Sequence, residues 1–329
     1  MASFKDVVGH EQIIEHLSNS LKNNKVSHAY IFCGEDGTGK NMLAKLFAKA
    51  LQCEAGYGDS CGMCRSCKQV ESGNQPDIRW VSHEKPGSIG VDEIREQVNN
   101  DIAIKPYSSK YKIYIIDEAE KMTPQAQNAL LKTIEEPPSY GLLMLLTNNA
   151  AMLLPTIRSR CVTLNMKAVS TEKIQEHLIH TYEIPDYKAR ICASFAQGNL
   201  GKAIKMATSP DFNELHESVL NLAKNVDDMD IYVVMDAVKK LSEYKADIYD
   251  IIDMMMVWYR DILMLKLTND PNLLIYPEEY SALSRRAAKS TFEGLDNIIR
   301  AMEKAKVRLK ANVNFDTALE MMLLTIKEN

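Results

Sequence analysis

The run Gly34-Glu35-Asp36-Gly37-Thr38-Gly39-Lys40-Asn41 stands between a short apolar segment, Ala29-Tyr30-Ile31-Phe32-Cys33, and an amphipathic stretch from Lys40 to about Leu51. A strand, a glycine-rich loop and a helix in that order restrict the fold more than any other feature of the chain. Glycines let backbone N–H groups wrap phosphates, the helix N-terminus adds positive potential, and a lysine neutralises the outer phosphates. Gly34, Gly37, Thr38, Gly39, Lys40 and Asn41 are therefore candidate cofactor-binding residues. The last position of such a loop is ordinarily Ser or Thr, whose hydroxyl binds Mg²⁺. Here it is Asn41, so ATP with Mg²⁺ stays an open alternative, beside an ordinary glycine-rich turn.

Four more apolar runs of strand length follow, Ile78 to Val81, Ile113 to Ile116, Leu142 to Leu146 and Val162 to Leu164. Helical patterns separate most of them, notably Val91 to Val98 and Pro124 to Ile134, and an earlier one covers Ile13 to Leu21. Strands alternating with helices predict an α/β fold with a parallel sheet and helices on both faces. After about residue 168 the strand pattern stops, and Ser170-Thr171 before Glu172 reads as a helix start. Residues 170–207 predict a few short helices, and from Phe212 onward only helical periods occur. Ser209-Pro210 marks a boundary. The expected division is 1–167, an α/β domain with a cysteine insert at 53–67; 168–208, a small helical lid; and 209–329, an all-α C-terminal domain. No internal repeat or low-complexity segment is evident.

The 329 residues carry 39 Lys and Arg against 44 Asp and Glu, a formal charge of −5, which excludes a protein that coats nucleic acid by bulk charge. The opening MASFKDVVGH lacks an apolar h-region, which argues against a secretory signal. The weakly charged stretch Ser139 to Ile157 is interrupted by Asn148, Asn149 and Pro155 and falls short of the ~20 apolar residues of a membrane helix. A cytoplasmic setting, with no membrane contact and with reduced cysteines, is the expectation. Cys53, Cys61, Cys64 and Cys67 have the spacing x7, x2, x2. Four thiolates so close match tetrahedral zinc with no open position, which fixes a loop and does no chemistry. A redox pair would use only two of them. Cys33, Cys161 and Cys192 stand alone and read as core packing. The methionines Met254-Met255-Met256 read as core filler, and Trp258-Tyr259 as either a packing anchor or an interface.

Further candidates follow the later strands. Ile113-Tyr114-Ile115-Ile116-Asp117-Glu118 ends a buried strand on two acids. Asp117 is placed to hold a Mg²⁺ shell, and Glu118 to polarise an attacking water if the site is active. Asn148, after the fourth strand, could orient a water or a γ-phosphate; its plainer reading is a turn residue. Ser159-Arg160-Cys161 precedes the fifth strand, where an arginine could reach a neighbouring subunit's γ-phosphate or simply be solvated.

Taken in order, the phosphate loop, Asp117-Glu118, Thr147-Asn148-Asn149 and Ser159-Arg160-Cys161 resemble the clamp-loader branch of the AAA+ ATPases. The resemblance is close over residues 1 to about 207 and looser beyond. It implies an AAA+ type five-stranded parallel sheet with flanking helices, a lid, and a C-terminal oligomerisation (collar) domain. The cysteine insert resembles the zinc module of the bacterial delta-prime and gamma/tau subunits. Three features favour the delta-prime type: Asn41, the end of the chain at 329 without a long tail, and Trp258 to Lys266, similar to a delta-prime C-terminal helix. That resemblance implies a stator subunit of the DNA polymerase III loader, which places the sliding clamp on primed DNA. Its partners would be gamma/tau and delta subunits, the clamp, and DNA inside the assembly. Arg160 would then act in trans, in a neighbour's ATP site. The lid's usual arginine is expected in a Gly-x-x-Arg context, but Gly198-Asn199-Leu200-Gly201 has Gly201 there. Two other readings stay open: a self-sufficient gamma/tau-type ATP-hydrolysing motor, and a zinc-dependent DNA-binding module, for which only Arg65 and Lys68 are close to the cysteines.

Overall fold

A computed structural model describes residues 3–83, 87–209 and 212–329. The chain divides into two compact units, residues 1–177 with 197–202, and residues 178–196 with 203–329. Pro210, part of the expected boundary, lies outside the described residues.

The first unit is built on five strands: β1 (Ala29–Cys33), β2 (Ile78–Trp80), β3 (Lys112–Ile116), β4 (Gly141–Thr147) and β5 (Val162–Asn165). All neighbours are parallel and the order is β2-β3-β4-β1-β5. The expected α/β fold with a five-stranded parallel sheet and flanking helices is what the chain adopts. Alternate residues serve the two faces, as the period of two in a strand demands. Tyr30, Phe32, Ile113, Ile115, Leu142, Met144 and Leu146 join the core beneath α1 (Glu11–Lys22) and α2 (Lys40–Leu51). Ala29, Ile31, Tyr114, Ile116, Leu143 and Leu145 join the core on the other face. Because both faces are covered, the central strands read as continuous apolar runs.

A short helix, α3 (Arg65–Glu71), follows the cysteines. On the second face, α4 (Val91–Ile94) and α5 (Asn100–Ile102) are joined by a π-helical turn, Arg95–Asn99. The helix expected over Val91 to Val98 thus runs on to Ile102. The wider turn brings Ile94, Val98 and Ile102 to the same core. α6 (Pro124–Glu135) starts with Thr123 capping Ala126 N–H and Pro124 in the first turn, and α7 (Pro155–Arg158) leads into β5.

Three helices follow, α8 (Thr171–Tyr182), α9 (Asp186–Phe195) and α10 (Leu200–Thr208). The remainder is α-helical: α11 (Phe212–Asn225), α12 (Ile231–Leu241), α13 (Ile248–Thr268), α14 (Tyr280–Lys289), α15 (Phe292–Lys310) and α16 (Phe315–Glu328). Within the second unit α13 is the central element. Its Met254, Met255, Trp258 and Tyr259 are all buried, so the aromatic pair is a packing anchor. Asp261, fully buried beside them, accepts N–H bonds from Ile275 (2.7 Å) and Tyr276 (2.9 Å) and pairs with Arg260. Among the described residues no helix is long and apolar enough to cross a membrane.

Candidate functional site

Parallel strands place all their carboxyl ends on one edge of the sheet, where open α/β sheets bind ligands. Three candidate segments meet there. The phosphate loop follows β1, Asp117-Glu118 follow β3, and Asn148 follows β4, whose Thr147 carbonyl accepts the Gly34 N–H (3.0 Å). Gly37 (φ 84°) and Gly39 (φ 93°) hold the left-handed backbone that the loop needs. Gly39 offers no side-chain cap to α2, so the first turn of that helix keeps backbone donors free of a capping side chain.

The loop's polar groups are engaged with the chain itself. Lys40 is 6% exposed and its ammonium donates to the carbonyls of Gly34 (2.5 Å) and Glu35 (2.9 Å) and to Asp36 Oδ1 (3.3 Å). Thr38 Oγ1 donates to Glu35 O (2.7 Å), and Thr38 O accepts from His10 Nε2 (3.1 Å). Asn41 Nδ2 donates to Asp117 Oδ2 (2.7 Å), and Asp117 Oδ1 accepts the Glu118 N–H (2.9 Å). The Asn41 amide thus stands directly against the Asp117 carboxylate. Glu118 adopts φ 48°, a rare backbone state for a side-chain-bearing residue. Its carboxylate pairs with Lys121 (2.7 Å) and stands 3.7 Å from His83 Nε2.

The segment 198–201 is hydrogen-bonded to the loop. Gly201 N–H donates to Gly37 O (2.9 Å), and Asn199 Nδ2 donates to Asp36 O (2.6 Å). A Cβ at Gly201 would stand 2.6 Å from Gly37 O and 2.8 Å from its Cα. No side chain fits there without moving the loop.

Arg160 is at the other edge of the sheet. In register, β5 pairs Val162 with Tyr30 and Asn165 with Cys33, so Arg160 precedes the amino end of β5. Five residues at ~3.3 Å each separate its level from that of Cys33, roughly 16 Å along the strand. The side chain is 41% exposed. Nη1 donates to Thr156 O (3.1 Å), and Nη2 pairs with Glu135 Oε1 (3.0 Å), whose side chain is 46% exposed. Neither Glu135 nor His10, His83, Lys121 and Asn199 stood out in the sequence. All but Lys121, which pairs with Glu118 three residues away, act through non-local contacts that carry no local pattern.

The four cysteines of the insert do converge. Their Sγ atoms all lie within 4.8 Å of one another. A zinc tetrahedron with ~2.3 Å bonds sets sulfurs ~3.8 Å apart, so the donor set and spacing fit one ion. Backbone N–H groups point at the sulfurs, from Cys61 to Cys53 (3.3 Å), from Cys64 to Cys61 (3.4 Å) and from Cys67 to Cys64 (3.4 Å). The N–H bonds from Cys64 and Met63 pull the Cys61 thiol down to about 6. Buried Lys49 of α2 pairs with Glu71 of α3 (2.6 Å) and ties the module to the phosphate-loop helix. Cys33 and Cys161 pack against the core, and Cys192 is buried. Burial pushes the Cys161 thiol up to about 12 and the Cys192 thiol up to about 11, which suits packing and not nucleophilic chemistry.

Two family models match the chain, "DNA polymerase III, delta subunit" over residues 9–170 and "DNA polymerase III, delta subunit, C terminal" over residues 212–328. DNA polymerase III subunit delta' of Bacillus subtilis is 31% identical over 321 residues, covering 96% of both chains. DNA polymerase III subunit tau of the same organism is 30% identical, covering 96% of this chain and 60% of its own length. A gamma subunit-related DNA polymerase III protein of Thermotoga maritima, a solved structure, aligns over 96% of this chain and 98% of its own, with 20% identity and a TM-score of 0.41. With both family models and a full-length relative in agreement, this chain belongs to the clamp-loader family of DNA polymerase III subunits.

Proposed function

We propose that this chain is the delta-prime-type, stator subunit of a bacterial clamp loader, which lends Arg160 to the ATP site of a neighbouring gamma/tau subunit and hydrolyses little or no ATP itself. The observation that carries this reading is the Asn41–Asp117 hydrogen bond (2.7 Å). It joins the two residues that in a working site share the Mg²⁺ shell. The engaged ammonium of Lys40 and the close approach of Gly201 to Gly37 support it. So does the position of Arg160, away from the chain's own phosphate loop and open to a partner.

On this reading residues 1–167 form the AAA+ domain, 168–208 the lid and 209–329 the collar domain. Gamma/tau and delta subunits are the direct partners. The sliding clamp and primed DNA are met within the assembly, in the cytoplasm, with DNA contacts directed at phosphates. Cys53, Cys61, Cys64 and Cys67 hold one structural zinc, which fixes the insert. The second reading, a gamma/tau-type motor, is favoured by the retained Lys40, Asp117 and Glu118 and by the tau relative.

ATP turnover by the purified chain separates the two. The stator reading expects negligible turnover and no measurable Mg²⁺-dependent ATP binding. Turnover near a typical enzyme value, about 10 s⁻¹, identifies a motor.

A further inference from the structure

On the second unit, α15 and α16 leave between them a groove of about 280 Å³. Arg300, Lys304 and Arg308 line one wall. Their i, i+4, i+8 spacing stacks them on one face of α15, ~6 Å apart along the axis. Ala301, Met321 and Thr325 supply apolar and hydroxyl surface, and no Asp or Glu side chain lines the groove among the described residues. Asp296 takes up Arg300 through Nε (2.7 Å), whereas Lys304 and Arg308 have no ion pair among the described residues. Met321 is 48% exposed, an apolar side chain held open beside the cations. Three cations in a row on a chain of net charge −5 form a local field opposite to the whole.

We infer that this groove docks an acidic peptide segment of a partner protein, its carboxylates along α15 and an apolar side chain against Met321. The cations are spread along a helix, which suits an extended or helical segment and not a compact anion. Among the described residues no aromatic ring lines the groove, so bases would find no stacking platform, and a methionine contact adds nothing to a phosphate backbone. An unbranched thioether adapts to varied apolar partners, which suits a recognition surface. The inference is independent of Arg160 and of the nucleotide site.

Fluorescence anisotropy on the full chain tests it. The probe is a short labelled peptide with Asp and Glu on both sides of a single Leu. Saturable binding that weakens with NaCl is expected. The same peptide with Asn and Gln in place of the acids should bind at least ~10-fold more weakly, a difference of ~1.4 kcal/mol. Lys304→Glu with Arg308→Glu should weaken the acidic peptide by a similar factor, and the milder Lys304→Gln with Arg308→Gln should weaken it less, with unchanged circular dichroism. Met321→Gln should weaken it at any salt concentration. Lys240→Glu on α12 should leave it unchanged. Absent binding, equal binding by the charge-reversed variant, or tighter binding of a labelled single-stranded oligonucleotide through the same residues would each overturn the inference.

Discussion

At Asn41 one side chain changes what a phosphate loop can do. A Ser or Thr hydroxyl is short and offers a lone pair to a metal; the Asn41 amide is longer and instead donates to Asp117. Restoring the hydroxyl does not reverse the rest. Lys40 still has three acceptors of its own chain, and Gly201 still stands against Gly37. Asn41→Thr alone should therefore leave ATP turnover of the isolated chain far below ~10 s⁻¹ in a coupled assay; turnover restored to that level would mean the loop opens readily. Arg160 presents the opposite case. Its pair with Glu135 is half-exposed on both sides, and such surface pairs contribute only ~0–1 kcal/mol. That is too little to withhold the guanidinium from a triphosphate, so the pair orients Arg160 without sequestering it.

Elements differ in how far the sequence discloses them. The run Ala29 to Cys33, the helix from Lys40 and the ends Asp117 and Asn148 were readable because apolar strand runs and glycine loops are local patterns. Helix α3 was not. Its seven residues are too few for a period, and the Cys64 cap, accepting from Cys67 N–H, sets its start. The continuation of the second-face helix to Ile102 was hidden by Asn99-Asn100-Asp101, whose polarity interrupts the pattern while the π-helical turn corrects the phase. The contact of residues 198–201 with the phosphate loop joins segments some 160 positions apart in sequence (|i−j| = 163 for Asn199 and Asp36), and nothing in either segment announces it. At the insert, Cys64→Ser should lower bound zinc well below one per chain and loosen residues 53–71 in hydrogen exchange, with the circular dichroism of the sheet retained; full zinc content in the variant would remove Cys64 from the site.

The packing of α11 on the loop before α14 carries a pH dependence. His216 contacts Tyr276 Oη (3.0 Å), and burial, with Lys224 nearby, pushes its imidazole down to about 4. The unfolded chain binds that proton first, near the ordinary value of ~6.5. Stability is therefore full above that value and falls as the pH drops from ~6.5 towards ~4, by at most ~1.4 kcal/mol per pH unit from this group. His216→Gln should flatten the urea-midpoint profile across that window relative to the unsubstituted chain; an unchanged slope would assign the acid loss to carboxylates.

For the whole molecule, the sheet holds the two candidate segments at opposite edges. The chain's own phosphate loop is at the carboxyl edge, self-engaged, and Arg160 is roughly 16 Å away in strand register, at the amino edge. On the proposed reading, a subunit built this way contributes to ATP hydrolysis only when a neighbour brings a γ-phosphate to that edge. An arginine supplied in trans contributes roughly 10³ to 10⁵ in rate in well-characterised phosphoryl transfers. In an assembly with several ATP sites, only the site completed by this subunit loses that factor, so the total loss is smaller. The most direct measurement is clamp loading and ATP turnover by a loader reconstituted with Arg160→Ala, with zinc content and melting temperature measured alongside. The account predicts unchanged zinc and melting temperature with slowed loading and the loss of one site's turnover. Loading and turnover at the unsubstituted rate would contradict it and make Arg160 a surface residue of its own chain.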